Sequence, residues 1–217
     1  MSLKPTVPLL FIFSIFSALS VSGQHVTKYN LVKLLKENGL DTTYGTQTHI
    51  LNSTQKRAIS TMGTVWLKGV NFKEGTIEID LRGKDVFLKS FLGIAFHAKD
   101  PTTYEVVYFR PFRFNSTDTP TRKWSVQYTS LPGFDYDKLR KAHPGVYEND
   151  VNPVPIADEW FHATIIVKGD WVTVYVNHSA TASLKVQKLN EVTDGKIGLW
   201  SSAGALSGDF ANLTISE

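Results

Sequence analysis

Cysteine is absent from all 217 residues, which excludes disulfides, thiolate metal sites, a cysteine nucleophile and a lipidated cysteine behind a signal. Packing alone must hold the fold. Runs of one charge are also missing, since 23 basic and 20 acidic residues are spread along the chain for a formal net charge of +3. Without a basic stripe there is no expectation of a nucleic-acid partner. The histidines, His25, His49, His97, His143, His162 and His178, show no H-x-H or H-E-x-x-H spacing that would hold zinc. No G-x-S-x-G elbow, phosphate-cradling glycine loop or dinucleotide fingerprint occurs, so triad hydrolysis, nucleotide chemistry and redox cofactors lack support.

Apart from one N-terminal run, long apolar stretches are missing too. Lys4 precedes the apolar residues Val7 to Leu19, and the small residues Ser20, Ser22 and Gly23 follow. That order is the order of a signal peptide, and the run is short for a membrane span of about 20 residues. Residues 1–23 are therefore expected to be cleaved near Gly23–Gln24, leaving a secreted or periplasmic protein with no membrane contact. Four N-x-S/T tripeptides, at Asn52, Asn115, Asn177 and Asn212, would be glycosylation acceptors in a eukaryotic secretory pathway.

The chain does have an apolar fraction of 42% with 12% aromatics, enough to bury the core of one large domain. Between Tyr29 and Asn38, Leu31, Leu34 and Leu35 fall at helical spacing before Gly39 and predict a short helix in an N-terminal segment, residues 24–47. From residue 48 to 217 the pattern is short β-branched and aromatic runs separated by Gly, Pro, Asn and Asp, the signature of an all-β sandwich or barrel, of which a two-sheet sandwich is expected. Predicted strands are Thr76–Arg82, Ser90–His97, Tyr104–Arg110, Trp124–Tyr128, Trp160–Lys168, Trp171–Val176, Gly195–Ser201 and Asp209–Ser216. Lys168-Gly169-Asp170 reads as a hairpin turn. The segment from Pro111 to Asp158 offers only one clear strand and reads as long loops, which in a compact domain are usually functional.

Several of these runs resemble a known family: Gly75-Thr76-Ile77-Glu78-Ile79-Asp80-Leu81, Phe91-Leu92-Gly93-Ile94-Ala95-Phe96, Tyr104 to Phe112, Trp160-Phe161-His162-Ala163, Val172 to Asn177 and Gly195-Lys196-Ile197-Gly198-Leu199-Trp200. In this order they resemble a concanavalin A-like lectin/glucanase domain of the laminin-G-like or 3-keto-disaccharide-hydrolase-like branch. The resemblance implies an antiparallel jelly roll with ligands on the concave face or its rim. That fold hosts lectins, glycosidases, lyases and interaction modules, so function rests on the site.

Three constellations are candidates for that site. In Glu78-x-Asp80-x-Arg82 the polar side chains share one strand face at a repeat of about 7 Å. The run resembles the E-x-D-x-E strand of the family-sixteen glycoside hydrolases, whose second Glu is here Arg82, so the proton donor is lost. Glu105 or His97 would have to complete a catalytic pair with Glu78; otherwise the three residues form cross-strand ion pairs. In the second, Tyr104, Tyr108 and Arg110 share one face of a strand and Glu105, Val107 and Phe109 the other. A buried Glu105 is then expected to pair with Arg82 or Arg110, and Arg113 lies in the loop beyond. His97 and His162 could reach a common rim, as a general base or metal ligands.

The third constellation is aromatic. Sugar rings stack on aromatic planes while their hydroxyls bond to polar groups, a mixture offered by Trp124-x-x-Gln127-Tyr128 and Tyr147-Glu148-Asn149-Asp150. Calcium, a common ion in this architecture, could sit in the loop from Glu148 to Asn152. No other cofactor is expected. The leading expectation is a secreted carbohydrate-binding module whose saccharide meets Glu78, Asp80, Arg82, Arg110, Arg113, Gln127 and Glu148, with Tyr128 or Tyr147 stacking. A glycoside hydrolase or lyase, and a laminin-G-like protein-interaction domain with an apolar patch and no cleft, are the alternatives.

Overall fold

The computed structural model describes residues 25–51 and 56–217; the expected signal peptide and Asn52 lie outside them. In chain order the elements are β1 (Val26–Tyr29), α1 (Leu31–Lys36), β2 (Leu40–Thr42), β3 (Gln47–Leu51), β4 (Ala58–Met62), β5 (Thr64–Phe72), β6 (Gly75–Arg82) and β7 (Leu92–Asp100). They continue with β8 (Thr103–Phe109), a 3-10 turn at Pro111–Arg113, α2 (Thr119–Arg122), β9 (Val126–Leu131), α3 (Tyr136–Ala142) and β10 (Glu148–Asn149). The chain ends with β11 (Phe161–Lys168), β12 (Trp171–Val176), β13 (Leu184–Gln187), β14 (Gly195–Ser201) and β15 (Gly208–Ser216).

Two antiparallel sheets stack face to face. The first, of eight strands, runs β13-β12-β11-β6-β15-β4-β3, with β1 also against β15. The second, of seven, runs β10-β9-β8-β7-β14-β5-β2. Period-two alternation sorts their side chains. From β6, Ile77, Ile79 and Leu81 enter the core; from β11, Phe161, Ala163, Ile165 and Val167; from β8, Val107 and Phe109. The two sheets, with few helices, form a sandwich rather than a closed barrel, the jelly-roll-like architecture that the family resemblance implies.

The N-terminal segment is built into the sandwich, because β1 pairs with β15 and β2 with β5. Helix α1 is capped by Asn30, whose Oδ1 accepts from Lys33 N, and it buries Leu31 and Val32. Its left-handed terminal residue is Asn38 (φ 56°) rather than Gly39. The β11–β12 hairpin turns at Gly169 (φ 55°), with Lys168 opposite Trp171. Among the described residues no helix is long and apolar enough to cross a membrane.

The loop-like segment after Arg110 holds more structure than its composition announces. Helix α3 forms there, with Asp135 Oδ1 accepting from Asp137 N and Lys138 N and only Leu139 buried. Together with the 3-10 turn and the approach to β9, α3 walls the outer face of the second sheet.

Candidate functional site

The outer face of the second sheet is aromatic. Strand β5 contributes Trp66, β8 contributes Tyr104, Val106 and Tyr108, and β14 contributes Trp200, with Phe91 just before β7. The rings touch in sequence. Trp66 meets Tyr104 edge-on at 5.7 Å, Trp200 Nε1 donates to the Tyr104 hydroxyl at 3.3 Å, Trp200 and Tyr108 lie 5.0 Å apart, and Phe91 meets Phe112 at 5.3 Å. The floor is kept low by β7, which presents Gly93 between Tyr108 and Trp200 in the ladder.

Over this floor lies a groove of about 450 Å³, bounded by Val106, Tyr108, Thr129, Leu131 and Trp200 below and by Phe112, Arg113, Trp124, Asp135, Tyr136 and Arg140 at its sides. A second hollow of about 430 Å³ lies beyond Trp66, between Tyr44, Asp100 and Lys196. Apolar planes with a few convergent polar groups are the usual make-up of a ligand cleft.

The polar groups of the groove are chiefly guanidinium. Arg110 is 5% exposed; its Nη1 donates to the Trp124 carbonyl at 2.6 Å, and its Nη2 to the Tyr108 hydroxyl at 2.7 Å and to Gln127 Oε1. Burial lowers its pKa, and burial also pushes the Tyr108 hydroxyl up to about 12, so at neutral pH Tyr108 donates hydrogen bonds and cannot serve as a base. Arg140 lies 3.8 Å from the centroid of Trp124 and forks onto Glu148 at 2.9 and 2.6 Å. Arg113 faces Phe87, Phe112 and Trp124, and its Nη1 donates to Thr121 Oγ1 at 2.9 Å.

Of the residues singled out by sequence, Arg110 and Arg113 meet on this groove, Gln127 supports it from β9, and Glu148 backs it through Arg140. The other seven stand elsewhere, four of them in the core. Glu105 and His97 are wholly buried on the core side of the second sheet: His97 Nδ1 meets Glu105 Oε1 at 2.9 Å and its Nε2 meets the Lys73 carbonyl at 2.8 Å. The Tyr128 hydroxyl donates to the other Glu105 oxygen and accepts from Leu189 N. Glu105 therefore pairs with His97 and Tyr128, not with Arg82 or Arg110, and Tyr128 is a core residue that no ring can stack upon. Tyr147 is likewise buried, tilted against Tyr128 at 6.0 Å. His97 and His162 do not share a rim, as they belong to different sheets.

Glu78, Asp80 and Arg82 do share a face, the outer face of the first sheet, on the opposite side of the sandwich from the groove. Asp80 accepts from Lys56 Nζ, from Asn212 Nδ2 at 2.7 Å and from His162 Nδ1 at 2.9 Å. Arg82 pairs with Asp209 at 2.8 Å, and Trp160 lies beneath both Lys56 and Arg82. His162 stacks on His178 at 4.1 Å, with its Nε2 3.8 Å from Glu78. These are the cross-strand ion pairs of the alternative reading, and a Glu78–Glu105 or Glu78–His97 catalytic pair is ruled out by the intervening core. Two glycosylation tripeptides are engaged as well, since Asn177 Oδ1 accepts from His162 N and Asn212 bonds Asp80, whereas Asn115 is exposed.

In the Glu148–Asn152 loop, the Glu148 carboxylate is held by Arg140 and Asn149 Nδ2 donates to the Ser183 carbonyl. Among the described residues no three acidic or histidine side chains gather at metal-ligand spacing. Tyr108, Phe91 and Arg140 were not singled out as site residues. The signal for Tyr108 was present in the face it shares with Tyr104 and Arg110, but both faces of β8 are apolar enough to read as core.

Solved structures carry the same architecture. A Bacillus subtilis protein of galectin-like fold and unknown function is similar with a TM-score of 0.57 at 12% identity, over 87% of this chain and 94% of that one. Carbohydrate-binding module CBM66 from Bacillus subtilis gives a TM-score of 0.50 at 13% identity, over 81% of this chain and 97% of that one. A candidate glycosyl hydrolase from Parabacteroides distasonis gives 0.51 at 13%, over 87% and 98%. At such identities the likeness is one of fold. No curated protein matches the sequence. A family model does, from residue 27 to residue 216, which is the sandwich from β1 through β15. The chain thus belongs to the 3-keto-alpha-glucoside-1,2-lyase-like domain family.

Proposed function

We propose that the protein is an exported saccharide-binding module and that its ligand lies in the aromatic groove on the outer face of the second sheet. One observation carries this reading: Trp124, Trp200, Tyr108 and Tyr136 border one cleft together with Arg110, Arg113 and Arg140. Sugar C–H faces stack on such planes and sugar hydroxyls accept hydrogen bonds from guanidinium groups. The fold likeness to a carbohydrate-binding module supports it, as does the signal-peptide pattern of residues 1–23.

Isothermal calorimetry against neutral and acidic oligosaccharides tests the reading. Binding to the wild type, weakened about tenfold or more (about 1.4 kcal/mol) by Trp124→Ala, supports it. A folded protein that binds none of them overturns it.

The family's name favours a second reading, elimination from a 3-keto-glucoside. It requires a base to take the C2 proton. Asp135 is the acidic residue on the groove wall, and its Oδ1 is occupied by the backbone amides of Asp137 and Lys138. Binding is therefore placed ahead of catalysis; release of the aglycone from a 3-keto-disaccharide by the purified protein reverses that order.

A further inference from the structure

Three guanidinium groups surround the groove, and only one is neutralised. Arg140 forks onto Glu148. No carboxylate of the described residues stands within ion-pair distance of Arg110 or Arg113. Arg110 is nonetheless almost fully buried, and its partners are a carbonyl, a phenol and an amide oxygen, all neutral. A buried cation without a counter-charge is costly, and structures tolerate it where a partner arrives.

Unused donors accompany the charge. Arg113 Nε, on the groove, and Gln127 Nε2, behind Arg110, are buried without an acceptor; among the described residues the same holds for Trp160 Nε1 and His162 Nε2 on the first sheet, where the charges are paired. Buried polar groups are rarely left unsatisfied, and such exceptions call for a ligand or water. Asp135, the groove's own acidic residue, spends its carboxylate on the α3 backbone. The donors of this wall suit an anion that accepts several hydrogen bonds at once.

We infer that the groove selects an acidic saccharide, a hexuronate whose carboxylate enters between Arg110 and Arg113 while its ring lies against Trp124 or Trp200. The inference rests on the reading of the groove as a saccharide site and adds the substrate class. A guanidinium fork matches a planar carboxylate with two parallel hydrogen bonds. The aromatic planes supply the stacking surface that a carboxylate alone does not use.

The test is calorimetric, with the full chain at low salt, on a panel of galacturonate, glucuronate and mannuronate oligosaccharides and their carboxyl-reduced neutral counterparts. The expected result is that at least one uronate binds ten times or more tighter than its reduced counterpart, with the margin shrinking as salt rises. Arg113→Gln should remove the margin, and Arg113→Lys should restore part of it through charge without the fork. Arg113 is half-buried, and thermal melts establish that both variants are folded. Equal affinity for a uronate and its reduced counterpart overturns the acidic-ligand inference and leaves the saccharide reading standing. Binding of neither overturns both.

Discussion

Asp80 shows at the scale of one side chain why a conspicuous charge pattern need not be a site. Burial alone would raise its pKa, but hydrogen bonds from His162, Lys56 and Asn212 outweigh that and hold the carboxyl well below the usual range. A depressed folded pKa means that the charged form contributes stability above the unfolded value of about 3.9 and loses it as pH falls below that value. Asp80→Asn is therefore expected to lower unfolding stability by about 2 kcal/mol at pH 7, measured by urea titration. The gap to wild type should close as the titration is repeated below pH of about 4. Glu105 makes the complementary case in the core. Glu105→Gln breaks a wholly buried network with His97 and Tyr128 and should cost about 3 kcal/mol. Saccharide affinity, read on the same folded sample, should not move, because Glu105 faces away from the groove.

Among the elements, β7 shapes the groove by what it omits. A Cβ on Gly93 would stand 2.0 Å from the Val107 carbonyl oxygen and 2.6 Å from Tyr108 Cα, so even alanine forces β7 and β8 apart. Overpacking of this kind costs about 1–3 kcal/mol. Gly93→Ala should lower the melting temperature and weaken saccharide binding together, since it displaces the strand that carries Tyr108. Alternation made strands such as β6, β11, β12 and β14 legible in the sequence, because one of their faces is uniformly apolar or their turns are marked by glycine. Strand β5 was not legible: Lys68 and Gly69 interrupt its apolar run. Helix α3 was missed for a related reason, since one buried residue, Leu139, leaves no apolar stripe to detect. Its available signal was the Asp135 cap with Arg140 and Lys141 in the last turn.

The whole molecule presents two outer faces of opposite character, and the sequence made only the charged one conspicuous. Charges alternating with isoleucine and leucine stand out in Glu78-x-Asp80-x-Arg82, whereas an aromatic outer face over a hydrophobic core reads as core on both sides. The charges of the first sheet are paired within it, even though Trp160 Nε1 and His162 Nε2 are buried there without a partner, while the groove on the second sheet holds two guanidinium groups without a carboxylate among the described residues. Buried cations without a counter-charge beside apolar planes favour ligand binding; charges paired within the sheet favour folding alone. The faces are separated by the core, so substitutions on them should act independently. Trp200→Ala should weaken saccharide binding about tenfold by calorimetry, because it removes both a ring plane and the neighbour that props Tyr108. Glu78→Gln, half-exposed on the other face, should change affinity less than twofold, and the double variant should match Trp200→Ala. If Glu78→Gln abolishes binding while Trp200→Ala leaves it intact, the ligand sits on the first sheet, and the assignment of the groove fails with it.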